Sequence, residues 1–167
     1  MAIDPARLDL LSALACKVLW LSSWTIHHAN HVRPNSDGLK VGGHQASSAS
    51  LATIMSALYF GVLRPEDRVA VKPHASPVFH AIQYLFGRQT RDKLENFRGY
   101  KGAQSYPSRT KDTDDVDFST GSVGLGVAMT SFFPWAAAGC GAAMSAAAMS
   151  AANAVVCVLL RMCFPPP

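Results

Sequence analysis

Residues 42–50 read Gly42-Gly43-His44-Gln45-Ala46-Ser47-Ser48-Ala49-Ser50 and run into Leu51, Ile54, Met55, Leu58 and Tyr59. Two glycines make a permissive turn, and the apolar residues recur at helical spacing, so the stretch predicts a loop feeding a helix with a histidine at its mouth. Small residues along the first turns let that helix pack close to a neighbour or a ligand. A second stretch has similar grammar. Arg68-Val-Ala-Val-Lys72 alternates like a short strand, Pro73-His74-Ala75 ends it, and Ser76-Pro77 opens a helix to about Phe86 with Ser76 as its cap. A third stretch, Gly121-Ser-Val-Gly-Leu-Gly126, is a glycine-rich bend ahead of another helical start.

Working outward, Asp4-Pro5 starts an amphipathic helix carrying Leu8, Leu11, Ala15, Val18 and Leu19, which reaches about His31. Pro34 to Gly38 is a turn. Gly87 stops the helix that Ser76 begins, and Thr90 caps a fourth running to about Phe97. From Arg98 to Phe118 the composition is polar and predicts an irregular surface loop. Helices with few, short strands predict an α/β layer architecture.

Helix mouths with bare glycine backbone have free N–H groups and suit anions, and histidine adds a proton carrier near neutral pH. Each element alone is a common turn or loop. The glycine run is not the G-x-G-x-x-G order of dinucleotide folds, which argues against a nicotinamide cofactor.

The combination resembles the N-terminal segment of the transketolase superfamily, and most closely the homodimeric pyruvate dehydrogenase E1 proteins. The residues that carry it are Gly42 to Ser50, His74-Ala-Ser-Pro77, Leu94-Glu-Asn-Phe-Arg98, Ser105-Tyr-Pro107 and Gly121 to Gly126, five motifs in register between about Leu8 and Ser131. The resemblance implies an incomplete, helix-rich three-layer α/β fold of the thiamine-diphosphate-binding kind. It implies that His44 and His74 are catalytic, sitting over the thiazolium and handling protons of a 2-oxo acid or ketose phosphate. Ser47 lines the same pocket. Val123 and Gly124, with Gly126 in the same bend, correspond to the segment that cradles the cofactor. Lys72 stands where these E1 proteins often carry an amide, and a cation there could hold an anionic group of the substrate.

The family binds Mg²⁺ and the diphosphate through a Gly-Asp-Gly run followed by Asn, whereas residues 127–167 contain no Asp or Glu. The expectation is a fragment without a metal site of its own, not active alone and not binding thiamine diphosphate alone. It would occupy residues 1–132, ahead of an alanine-rich tail at 133–167 that is either aberrant translation or an apolar segment. The alternatives are a non-catalytic fragment that pairs with a full-length homologue as a homo- or heterodimer, and a small membrane-anchored protein. The tail is long enough to span, but rich in Ala and Gly and weak in flanking signals, so a membrane is not the expectation.

The remaining features are plain. The net charge of +4 is scattered, with no basic run to track nucleic acid. Cys16, Cys140, Cys157 and Cys163 form no C-x-x-C pair, which suits a reducing compartment, and the N-terminus lacks the plan of a signal peptide, so cytoplasm is expected. His27 and His31 are four apart on one helical face, but no acidic third ligand is near in sequence. They read as a polar face or cofactor-side lining before they read as a metal site. His80 falls inside a helix as a structural residue.

Overall fold

The computed structural model describes residues 4–65, 67–119, 121, 125–126 and 128–130. The Val123 and Gly124 assignments lie outside the described residues, as do the domain boundary at 132 and the tail.

Helix α1 spans Pro5–His27, with Asp4 Oδ1 accepting from the Ala6 N–H at 3.1 Å and Pro5 in the first turn. It buries Val18, Leu21, Ser22, Thr25 and Ile26. The two hydroxyls are satisfied within the helix, Ser22 Oγ donating to the Leu19 carbonyl and Thr25 Oγ1 to that of Leu21. A π turn, His28–Val32, continues it. Together they make 28 residues, long and apolar enough by length and composition to cross a membrane, yet one face packs against α2 and α3.

Helix α2, Gln45–Ala57, buries Ser48, Ala52, Met55 and Ser56, and the small Ser48, Ala52 and Ser56 side chains let α1 come close. A second π turn, Leu58–Val62, is tied to the start of α1 by Arg7 Nη2 donating to the Gly61 carbonyl at 2.9 Å. A 3₁₀ turn at Pro73–Ala75 leads into α3, Ser76–Leu85, in which every residue from Ser76 to Gln83 is buried. The helix is central and buried on every face, with the polar Ser76, His80 and Gln83 enclosed among its apolar residues. Gly87 at φ +75° ends it, with the Arg88 N–H reaching back to the Gln83 carbonyl at 2.9 Å. Helix α4 is short, Arg91–Glu95, capped by Thr90.

One apolar core gathers Val18, Leu21, Ala52, Met55, Val69, Val71, Val78, Phe79 and Ile82 from α1, α2, α3 and the 64–72 segment. A smaller cluster, Ala29, Phe97 and Ala103 with Val41 against it, lies under the turn before α2.

Three expectations need correction. Residues 68–72 are extended and bury Val69 and Val71 on alternate positions, but no strand forms among the described residues. The Val69 N–H donates to Asp117 Oδ2 at 2.8 Å and not to a neighbouring strand. A strand needs a paired partner, and the described part of the chain places none there. Among the described residues the assembly is therefore helix-rich, and no strand of the expected α/β layering is seen there. Ser76 does not cap α3: Ala75 holds the cap position, because the 3₁₀ turn begins the winding at Pro73, and Ser76 is buried inside the helix. The 98–118 segment is irregular and exposed in part, as expected, but it is not confined to the surface. Ala103, Asp114, Val116 and Phe118 are buried against the helices.

Candidate active-site cleft

The turn before α2 is built by its neighbours. Asn30, in the π turn that ends α1, brackets Gly42 with both amide atoms. Its Nδ2 donates to the Gly42 carbonyl at 2.9 Å and to the Ile26 carbonyl at 2.7 Å, while its Oδ1 accepts from the Gly42 N–H at 2.8 Å. Arg98 Nη1 donates to the neighbouring Val41 carbonyl at 2.7 Å. Gly42 sits at φ +82° and Gly43 at φ +129°, and a Cβ on Gly43 would meet Ile26 Cγ2 at 2.8 Å. Glycine is required here by both conformation and space. The turn delivers His44 to the cap position of α2, where its carbonyl takes the Ser48 N–H at 2.9 Å and its side chain makes no capping bond. The ring is left free to face outward.

Asn30→Ala removes three hydrogen bonds at once and strands the Gly42 N–H. The expected loss is about 2–3 kcal/mol, measured by urea unfolding, with the Gly42 and Gly43 amide resonances shifting well before the rest of the chain.

His74 arrives from the other side, held in the 3₁₀ turn after Lys72, whose extended backbone is what a residue before proline adopts. The rings of His44 and His74 lie with centroids 4.2 Å apart and planes tilted by 31°. Gly43, Ser76, Pro77, Phe97, Arg98, Ser105 and Tyr106 complete a small open cleft around them. Partial loss of solvent lowers the His74 pKa below the ordinary histidine value, and the positive groups nearby, His44, Lys72 and Arg98, lower it further.

That direction fixes a sign. With its folded pKa depressed, His74 binds fewer protons folded than unfolded between that value and the ordinary one. Its contribution to stability therefore rises with pH through that window and is lost on acidification. Urea midpoints of the wild type and His74→Gln across pH 5–8 should lie closest at the alkaline end and separate on acidification, the wild type losing stability because its imidazolium is disfavoured in the fold while glutamine never charges.

The cleft chemistry follows from this set. Two imidazoles in ring contact, one biased toward its neutral form, can accept and return a proton, while Arg98 and the hydroxyls of Ser105 and Tyr106 can hold an oxygen-bearing group. No carboxylate lines the cleft among the described residues, so this lining does not fit Mg²⁺, which wants oxygen ligands.

The other residues expected from sequence fare differently. Ser47 is half-buried on the first turn of α2, outside the cleft lining, and its carbonyl accepts from Ser50 Oγ at 3.0 Å. Lys72 is exposed beside the cleft, and its charge is felt at His74. Gly126 is buried and accepts from Thr130 Oγ1 at 3.1 Å, also away from the cleft lining. Sequence reasoning assigned no role to Arg98, Ser105 or Tyr106, although their motifs, Leu94 to Arg98 and Ser105 to Pro107, were part of the resemblance. Arg98 even holds a left-handed φ of +61°, unusual for a non-glycine residue. The rings of His27 and His31 meet at 5.0 Å on the exterior of α1 and its π turn, without a third donor among the described residues. Their neighbour His28 has a structural task, its Nδ1 bonding the Glu95 carbonyl at 3.1 Å.

No family model matches the chain. Similarity to individual proteins is clear. The chain is 31% identical over 131 residues to the pyruvate dehydrogenase E1 component of Escherichia coli K12, covering 73% of this chain and 14% of that protein. It is 34% identical over 120 residues to the E1 component of Mycolicibacterium smegmatis, covering 65% of this chain and 12% of the relative. It is 39% identical over 98 residues to that of Cupriavidus necator, covering 53% and 11%. The chain thus spans about one seventh of the length of the first of these relatives. These similarities establish an E1-like relationship for most of its length.

Proposed function

We propose that this chain is a piece of a thiamine-diphosphate-dependent enzyme acting on 2-oxo acids, with His44 and His74 as its proton-handling pair. The observation that carries the reading is the 4.2 Å approach of two histidines from helix mouths 30 residues apart in sequence, in a chain with E1-like relatives. The cofactor, when bound, supplies the carbanion chemistry. The residues of this chain orient the substrate, exchange protons with it at the imidazole nitrogens, and narrow the access of water. Arg98 and Lys72 supply positive charge to a carboxylate, and a ketose phosphate would meet the same two cations. Ser47 remains assigned to the cofactor side of α2, and Val123, Gly124 and Gly126 to the bend that cradles the cofactor. The ligands for Mg²⁺ come from outside the 167 residues, as does the group that activates the pyrimidine. The same reading places the protein in the cytoplasm and makes dimerisation with a second E1-type chain the route to a complete site.

Two experiments test it. Calorimetry of this chain with thiamine diphosphate and Mg²⁺ should give heats no larger than dilution, whereas tight binding would contradict the account of where the ligands lie. A fusion of this chain to the remainder of the Escherichia coli relative should reduce ferricyanide in a pyruvate-dependent way. His44→Ala should then cost about 100-fold or more in rate. A folded fusion that is silent with pyruvate would refute the assignment.

A further inference from the structure

Next to the cleft lies a pair of side chains that the two histidines do not use. His80 on α3 and Asp114 of the 98–119 segment have no side-chain exposure at all. The His80 Nδ1 faces Asp114 Oδ2, and its Nε2 faces the Gln104 carbonyl at 2.7 Å. Both partners are acceptors. Of the two groups sharing the first contact, imidazole is the stronger base, so that proton belongs to nitrogen. The second contact needs an N–H as well. The geometry therefore calls for a ring carrying two protons.

The surroundings agree. From the 98–119 segment, Asp114 and Asp112 face the ring, and from the turn after α3 the Gln89 amide nitrogen stands 3.5 Å from Nδ1, too far to displace the carboxylate. The rings of Phe79 and Phe97 lie 5.6 and 6.4 Å from the imidazole. Tyr59, in the π turn after α2, is pushed well up by burial and then by the charges of Asp117, Asp115 and Asp114, so its hydroxyl stays neutral. Burial pulls the His80 pKa down, but the hydrogen bond and charge of Asp114, the Gln104 carbonyl and Asp112 outweigh it and leave it above the ordinary value. Asp112 meanwhile accepts the Gln104 N–H at 3.2 Å and the Ser108 N–H at 2.8 Å, fixing the turn at both ends.

We propose that His80 and Asp114 are a positioning pair that holds the Ser105–Tyr106 wall of the cleft through Gln104, and does so only while the imidazole carries both protons. This rests on the reading of the cleft as the functional site. When the second proton leaves, the ring keeps the one facing the carboxylate, because that charge-assisted bond is the stronger. Nε2 then presents a lone pair to the Gln104 carbonyl oxygen at the former bonding distance. The carbonyl retreats, and Ser105 and Tyr106, the next two residues, move with it. By reciprocity, a ligand that fixes Tyr106 tightens the proton on His80.

The test is a ¹⁵N NMR titration of the full chain from pH 5 to 9.5, which needs neither cofactor nor substrate and so stands apart from the activity of the fusion. Both His80 nitrogens should be protonated at pH 7, with a midpoint above that of an ordinary histidine. The Ser105 and Tyr106 amides should move with that same midpoint while Ala52 in α2 does not. In Asp114→Asn the proton affinity of His80 should fall at least tenfold, with the loop amides following it. If that variant does not fold, the wild-type titration decides alone. A single neutral tautomer at pH 7 would overturn the proposal, as would loop amides indifferent to His80. So would His80 signals that shift when Zn²⁺ or Mn²⁺ is added to EDTA-treated protein, because His80, Asp112 and Asp114 would then be a metal-binding set.

Discussion

Asp114→Ala should destabilise the chain by about 3–5 kcal/mol, the cost of leaving one half of a buried ion pair without its partner. His80 and Asp114 have no side-chain exposure, so water cannot replace the lost carboxylate. The imidazole would have to discard a proton or sit charged in an apolar surround, and either costs free energy. The pH dependence separates this from generic loss of packing. A histidine whose pKa is raised by folding contributes stability that is fully present below its unfolded value and is lost as pH rises through the folded value. The difference between wild type and Asp114→Ala should therefore be largest near pH 5–6 and shrink as pH rises through the raised His80 value. Urea unfolding at several pH values measures it. A constant difference across that range would mean that the pair is not charged. Replacing both residues by apolar ones of similar volume should cost much less than the single change, since no orphaned charge remains.

Gly43→Ala should cost about 2–4 kcal/mol, from two sources that can be told apart. Its φ of +129° is one that residues with a Cβ rarely adopt, and the new methyl would stand 2.8 Å from Ile26 Cγ2 and 3.1 Å from Cγ1. Ile26 is a β-branched residue in a helix, 4% exposed, with little freedom to turn aside. Gly38→Ala is the matched control, because Gly38 sits at φ +69° with nothing within 4 Å of the added carbon. It should cost about 1 kcal/mol, the conformational part alone. The excess at Gly43 is the clash, and Ile26→Ala in the same chain should recover some of that excess but none of the φ strain. Since Gly43 delivers His44, the variant should also move the His74 midpoint up toward the ordinary histidine value.

What could be read in advance followed the range of the interactions. The start of α1 at Asp4-Pro5, the stop at Gly87 and the Thr90 cap are decided by residues within one turn of each other, and they are where local chemistry puts them. The same holds for the histidines at two helix mouths. The short strand at 68–72 showed the right alternation, but pairing is a long-range property, and the Val69 N–H found an aspartate 48 residues away. The polar 98–118 run read as surface because charged side chains usually are. Asp114 is the exception, buried only because His80 waits 34 residues earlier. Asn30 carried no signal in the sequence either, as its task depends on a turn 12 residues on. In the cleft, the motif around Ser105-Tyr106 was visible, whereas its place beside the histidines depended on how the irregular segment packs.

The contact between His44 and His74 is where the E1-like reading meets the geometry of this chain, and a side-chain titration of His74 in wild type and in His44→Gln probes it without any ligand. Removing a neighbouring imidazole 4.2 Å away should raise the His74 midpoint toward the ordinary histidine value. Identical His74 titrations in the two proteins would mean that the rings do not share a cleft, and the proton-handling pair would be gone.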